Sequence, residues 1–146
     1  MTHKTTSLLR AAARAAAGAY APYSGYRVGA ALRTPDGKVF TGANVENASY
    51  GLTLCAERAA LAAAVTAGQR TFTALAVAAS GPAHPYPCGA CRQVLAEFAG
   101  PEFPVHTAIV GRLNRFETTR LGVLLPESFS LTARAKGAVR RKRKPA

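Results

Sequence analysis

The chain has 146 residues, enough for one domain with its own core and in practice too few for two. Apolar residues make up 49% and charged residues 18%, which excludes a disordered or fibrous chain. The 19 Lys and Arg against 7 Asp and Glu give a net charge of +12, but residues 134–144 hold +7 of it and the chain through Ala133 only +5, which excludes a uniformly basic nucleic-acid binder.

In chain order, Thr5 to Tyr20 is rich in Ala and Leu, has no Pro or Gly before Gly18, and stops short of Pro22, which predicts an N-terminal helix. Arg27–Thr34 and Lys38–Ala43 are short and partly alternating. Pro35-Asp36-Gly37 joins them as a turn, since Pro presets φ and Gly permits φ > 0, so the pair predicts a β-hairpin. Cys55 to Ala67, closed by Gly68, predicts a helix, and Thr73 to Ser80 a buried strand. After a loop of Gly81, Pro82, Pro85 and Pro87, a helix is expected from Cys88 to Ala99, ended by Gly100-Pro101. Val105–Val110 and Arg115–Arg120 complete the set as strands around a turn at Gly111–Asn114.

This order implies an α/β fold: a single domain with a five-stranded mixed sheet covered by helices in three layers. The domain is expected over residues 1–131, with 132–146 a mostly disordered basic tail that lacks aromatics and any apolar period. Arg10 and Arg14 interrupt the Ala-rich start at a spacing of four, which suits a polar helix stripe better than an export signal. No window approaches about 18 uninterrupted apolar residues. A cytoplasmic protein with no membrane association is expected.

Three cysteines, Cys55, Cys88 and Cys91, cannot all pair within one chain. The Cys88-Gly89-Ala90-Cys91 spacing serves zinc sites and redox pairs alike, but a redox pair leaves Cys55 unused. With Cys55 at a second helix start, the three thiols offer three ligands to one tetrahedral Zn²⁺ and leave the fourth position open, as in catalytic rather than structural sites. Both helix N-termini favour the thiolate through their free N–H groups and positive dipole ends. Three thiolates leave the site a net charge of −1, which Arg58, next to Glu57, is placed to offset. The alternatives are a closed zinc knuckle that only stabilises the fold, or His84 as a fourth ligand from the loop before Cys88; a loop histidine is more often a surface residue.

Glu57 follows Cys55 by two residues, and a carboxylate so placed beside three sulfur ligands is a proton carrier. Cys55-Ala56-Glu57 together with Pro87-Cys88-Gly89-Ala90-Cys91 is the pattern of zinc-dependent base deaminases, which draw a nucleophile from water at the metal and use the Glu to move its protons. Asn44 and Glu46 follow a strand in a loop and read either as a solvated, incidental pair or as a binding pair, in which a carboxylate can accept from sugar hydroxyls and would repel a phosphate, favouring free nucleosides over nucleotides.

At these residues the sequence resembles the cytidine deaminase family, in its small homotetrameric, zinc-dependent branch. The likeness extends to Ala21-Pro22-Tyr23-Ser24, Val28-Gly29-Ala30-Ala31-Leu32, the run from Thr41 to Tyr50, Cys88 to Leu95 and Leu124-Leu125-Pro126, and covers about Leu8 to Phe129. The resemblance implies hydrolytic deamination of cytidine and deoxycytidine in pyrimidine salvage, with one Zn²⁺ per chain on Cys55, Cys88 and Cys91 and Glu57 as proton shuttle. It implies that Asn44 and Glu46 hold the ribose hydroxyls, that Ala56 and Tyr26 meet the nucleoside, and that Phe129 reaches over the pyrimidine of a neighbouring subunit. Asn47, Ala48 and Tyr50 fall in a loop the family also uses across subunits, so a homotetramer with shared active sites is expected. Two residues depart from the family pattern: Tyr26 stands where a Phe is usual, and Tyr86 where a smaller residue is commoner. The rival readings are a deaminase of an aminonucleoside antibiotic or of polynucleotides, and a non-catalytic zinc module that binds nucleic acid through Arg140–Lys144; nucleic acid enters only through this tail.

Overall fold

The computed structural model describes residues 2–131; the predicted basic tail lies outside the described residues. Helix α1 (His3–Ala16) is capped by Thr2, whose hydroxyl accepts from the Thr5 N–H at 3.4 Å. It buries Leu8, Leu9, Ala12 and Ala16. It ends four residues before the predicted Tyr20 because the N–H groups of Ala17, Gly18 and Ala19 tighten to i−3 carbonyls. Tyr20 is then drawn into bridge pairing: its N–H donates to Asn44 O at 2.9 Å and its carbonyl accepts from Glu46 N at 2.8 Å. Tertiary pairing here overrides a helix-compatible composition.

The hairpin strands β1 (Val28–Arg33) and β2 (Val39–Ala43) form as expected. Gly37 adopts φ 88° in their turn, and the Thr34 hydroxyl bonds Asp36. Helix α2 (Ala56–Thr66), strand β3 (Ala74–Ala79), helix α3 (Gly89–Ala96) and strands β4 (Pro104–Ile109) and β5 (Glu117–Arg120) follow in the predicted order. Strand β5 starts two residues later than predicted, because Arg115 donates to Arg112 O and belongs to the turn. A 3₁₀ turn at Tyr50–Leu52 and a four-residue helix α4 (Leu121–Leu124) are additional; both are too short to carry a periodic signal.

The sheet order is β2-β1-β3-β4-β5, antiparallel except for β3 against β4, which α3 joins by a crossover. Central β3 is buried over its whole length. Leu75 and Val77 pack with Ala30, Leu32, Leu61, Val105 and Leu121, while Ala74, Ala76 and Ala78 pack with Leu8, Leu9 and Ala12. The helices lie close because of two glycines. A Cβ on Gly29 would come within 2.0 Å of Ala12 O in α1, and one on Gly42 within 2.4 Å of Ala60 N in α2. The result is the expected three-layer arrangement. No helix among the described residues is long and apolar enough to cross a membrane.

Strands β2, β3 and β4 run in one direction, so the C-terminal ends of β2 and β3 and the N-terminal end of β1 meet at one edge, where Val28 pairs with Ala79. Helices α2 and α3 both begin at that edge.

Candidate active site

Cys55 is the N-cap of α2, Cys88 the N-cap of α3, and Cys91 faces inward one turn into α3. Their sulfurs lie within 4.8 Å of one another, with Cys55 Sγ 3.7 Å from Cys88 Sγ, and none is in a disulfide. Sulfurs placed tetrahedrally about 2.3 Å from a common Zn²⁺ are about 3.8 Å apart, so this donor set fits a three-thiolate zinc site. No other metal-competent cluster occurs among the described residues. His84 is committed elsewhere: its Nδ1 is 3.1 Å from both Thr107 O and Thr107 Oγ1, and its Nε2 faces Glu117 at 3.6 Å. It therefore does not close the site.

The electrostatics suit a metal. Hydrogen bonding from the Cys91 thiol, then from Arg58 and Cys88, outweighs burial and draws the Cys55 thiol down to about 5. The same contact with Cys55, together with burial, pushes the Cys91 thiol up. A dication bound here would displace the Cys91 proton. Arg58 Nη2 donates to Cys55 Sγ at 3.4 Å and to Thr53 O at 3.2 Å. Arg58 Nε is the one buried side-chain nitrogen or oxygen among the described residues that lacks a partner. The guanidinium thus lies against the Cys55 sulfur.

Glu57 lies on the first turn of α2 and is only 6% exposed. Burial pushes its carboxyl above the usual carboxylate range and the Cys55 charge adds to this, against bonding from its own N–H and the Cys91 thiol. It lines a cavity of about 350 Å³ together with Cys55, Cys88, Ala56, Tyr26, Asn44 and Glu46. Every predicted site residue but three is thus a wall of one cavity. Cys91 and Arg58 stand behind that wall, and Phe129 lies apart, with its carbonyl accepting from Gln93 Nε2 on α3 at 3.0 Å.

Asn44 and Glu46 are built into the backbone. Asn44 Oδ1 accepts from Val28 N at 2.9 Å and its Nδ2 donates to Tyr26 O at 2.7 Å, so its amide splices the entry of β1 to the exit of β2. One N–H of that amide remains for a ligand. Glu46 accepts from Tyr23 N at 3.0 Å, Ser24 N at 3.2 Å and Ser24 Oγ at 2.5 Å. The Ser24 hydroxyl, chiefly, holds its carboxyl below the usual range, so it stays ionised. Ser24 was visible in the sequence only as part of a family-like run.

The Tyr26 ring lies over Gly81, where a Cβ would come within 2.5 Å of it, and its phenol is raised by burial and by the Glu57 charge. Pro85 and Tyr86 complete the wall next to Cys88. Pro85 gave no separate sequence signal.

A sheet edge that sets a three-thiol cluster against a cavity lined by a buried carboxyl and an ionised carboxylate defines a zinc-dependent deaminase-type site. Residues 2–107 match the family described as cytidine and deoxycytidylate deaminase zinc-binding region, and the chain belongs to that family. It is similar to the cytidine deaminases of Sporosarcina psychrophila (49% identity, 77% of this chain and 81% of that one) and Halalkalibacterium halodurans (47%, 84% and 92%). Among solved structures it is similar to cytidine deaminase from Burkholderia pseudomallei, with TM-score 0.80 and 50% identity over 88% of this chain and all of that one. Cytidine deaminase from Mycobacterium tuberculosis gives TM-score 0.73 and 47% identity over 86% and 96%.

Proposed function

We propose that the chain is a hydrolase that deaminates cytidine and deoxycytidine, consuming one water and releasing uridine or deoxyuridine and one ammonia. The observation that carries this reading is the buried Glu57, its carboxyl held above the usual range, beside the three-thiol cluster in a cavity whose far wall holds the ionised Glu46.

Cys55, Cys88 and Cys91 hold one Zn²⁺ per chain, and Arg58 balances their charge. The bound ion supplies a Lewis acid that makes water nucleophilic near neutral pH. Glu57 accepts a proton from the attacking water, delivers it to ring N3, and then helps protonate the amine leaving C4; its raised pKa suits a group that is base and acid in turn. Glu46 and the remaining Asn44 N–H receive the ribose hydroxyls, and the negative charge of Glu46 disfavours a phosphate at the same position. Ala56 and the Tyr26 ring bound the base.

The enzyme is a cytoplasmic homotetramer of pyrimidine salvage with shared sites. Support for shared sites comes from Phe129, which lies outside its own chain's cavity, and from an exposed apolar surface near the cavity mouth: Tyr50 is 76% and Leu52 71% exposed, with Tyr20, Tyr23 and Val45 also open. A neighbouring copy covers that surface with its Phe129 and its Asn47-Ala48-Tyr50 loop. Residues 1–131 are the catalytic domain, and 132–146 a basic accessory through which any nucleic acid is bound. The test is ultraviolet absorbance of cytidine incubated with purified protein, with zinc per chain measured on the same sample. Loss of the cytidine signal at about one zinc per chain is expected; no turnover at full zinc occupancy would refute the reading.

A further inference from the structure

The segment from Ser80 to Cys88 builds one whole side of the cavity: Gly81 lies under Tyr26, Pro85 and Tyr86 form the wall, and Cys88 ends it. Its two ends are fixed. At the start Ser80 N donates to Arg27 O and Arg27 N to Ser80 Oγ, each at 3.0 Å; at the finish Arg92 Nε donates to Pro87 O at 2.6 Å and Arg92 Nη1 to Leu124 O at 2.8 Å. The middle projects from the sheet with three prolines, so it gains few backbone hydrogen bonds of its own. It is held instead by side chains of the neighbouring strands. His84 Nδ1 meets both oxygens of Thr107 on β4, and Glu117 on β5 divides its carboxylate between two loop residues, Oε2 accepting from the Tyr86 phenol and Oε1 facing His84 Nε2.

The geometry points to Glu117 as a positioning residue for the deamination reaction, bracing the Pro85-Tyr86 wall of the cavity from β5 through Tyr86 and His84. This rests on the proposed deaminase reading. Glu117 is itself half-exposed, lies 26 residues beyond Cys91 and 62 beyond Cys55, and is not among the cavity-lining side chains, so its effect on turnover passes through Tyr86. The role also accounts for Tyr86: only a side chain with the reach and donor of tyrosine spans from the residue before Pro87 to β5. A smaller residue there leaves only the His84 contact between Glu117 and the loop.

The test uses the full-length, zinc-loaded protein and the variants Glu117→Ala, Glu117→Gln, Tyr86→Phe and the double variant Tyr86→Phe with Glu117→Ala. Loss of a hydrogen bond to a charged acceptor is expected to lower kcat/KM for cytidine about tenfold in Tyr86→Phe and Glu117→Ala, mostly through KM. The double variant is expected to fall no further than either single one, and Glu117→Gln to recover most of the loss because its amide oxygen still accepts from the phenol. Zinc per chain and Tm should stay at wild-type values. Amide exchange followed by NMR supplies a readout that needs no substrate: the Tyr86 and His84 N–H groups should exchange faster in Tyr86→Phe and Glu117→Ala but not in Glu117→Gln. Wild-type KM and exchange in both single variants, additive losses, or activity falling only in step with zinc and Tm would each overturn the proposal. If Glu117→Ala does not fold, Tyr86→Phe decides. A wild-type protein inert toward cytidine whose loop exchange still responds as described would sink the deaminase reading and leave the brace standing.

Discussion

Replacing Glu57 by Gln separates proton transfer from shape. Gln matches Glu in size, so the packing at this 6%-exposed position is kept, and it removes a carboxyl that burial already holds above the ordinary range. An amide carries no charge to desolvate there, so Tm should be unchanged or slightly higher. The three sulfurs are untouched, so zinc should stay at about one per chain. Catalysis is another matter, because in the proposed reaction one group takes the proton from water and later returns it. General acid–base work is worth about 10² to 10⁴ in rate, and losing both halves should lower kcat by at least about 10². The assay is cytidine absorbance under saturating substrate, with zinc and Tm measured on the same preparation. A variant that keeps more than about a tenth of the wild-type kcat would refute the assignment of Glu57. Equal loss of zinc and activity would show instead that the carboxyl supports the metal cluster rather than the proton path.

Four further outcomes are expected. Glu46→Gln should raise KM for cytidine about tenfold and leave kcat less affected, since an ionised acceptor for sugar hydroxyls is exchanged for a neutral one; steady-state kinetics checks this. Cys88→Ala should lose zinc and Tm together, read by metal analysis and thermal melting, because the third ligand both holds the ion and ties α3 to α2. Gly29→Ala should lower stability by about 1–3 kcal/mol in urea unfolding, because its Cβ would lie 2.0 Å from the α1 backbone at Ala12 O, which cannot give way as a side-chain tip can. Burial, with Arg33 adding, holds the His106 imidazole below its usual 6.5. The unfolded chain therefore takes up a proton that the folded one resists. Stability from this site is complete above about pH 6.5 and falls as pH drops below it, and His106→Gln should flatten that slope in urea unfolding between pH 7.5 and 5.

The sequence made the three-cysteine cluster and the buried carboxyl beside it legible because both lie in short contiguous motifs, and the helices after Cys55 and Cys88 follow from composition and from Gly68 and Gly100. Asn44 and Glu46 were legible as cavity residues, but not as parts of the backbone scaffold. The splice that Asn44 makes between Val28 N and Tyr26 O joins residues 16 and 18 positions away, and no local pattern encodes it. Tyr20 illustrates the converse: its local composition continues a helix, yet its N–H and C=O are taken by the Asn44–Glu46 segment. Gly81 carries a loop signal, whereas its use as the seat of the Tyr26 ring depends on two segments meeting. The tie from Glu117 to Tyr86 spans 31 residues and two strands, and Glu117 reads from sequence as one more polar residue on an edge strand.

The site's place at the sheet edge follows from topology. Cys55 and Cys88 are 33 residues apart, yet each is the first residue before a helix that leaves the C-terminal end of a strand running in the same direction. Two helices that start on one edge aim their free N–H groups and positive dipole ends at a common point. The antiparallel strand β1 lies between β2 and β3 and begins at that same edge, so the turn before it delivers Tyr26 and Ser24 to the cavity opposite the cysteines. Arg58, one turn along α2, then faces the sulfurs from behind, and Glu57 beside it faces the cavity. Moving Cys55 even one residue along α2 would rotate its sulfur by about 100° about the helix axis and away from Cys88. The Cys-Ala-Glu-Arg order is therefore tied to the helix start: the N-cap places the thiol, the second helical residue the buried carboxyl, and the third the guanidinium.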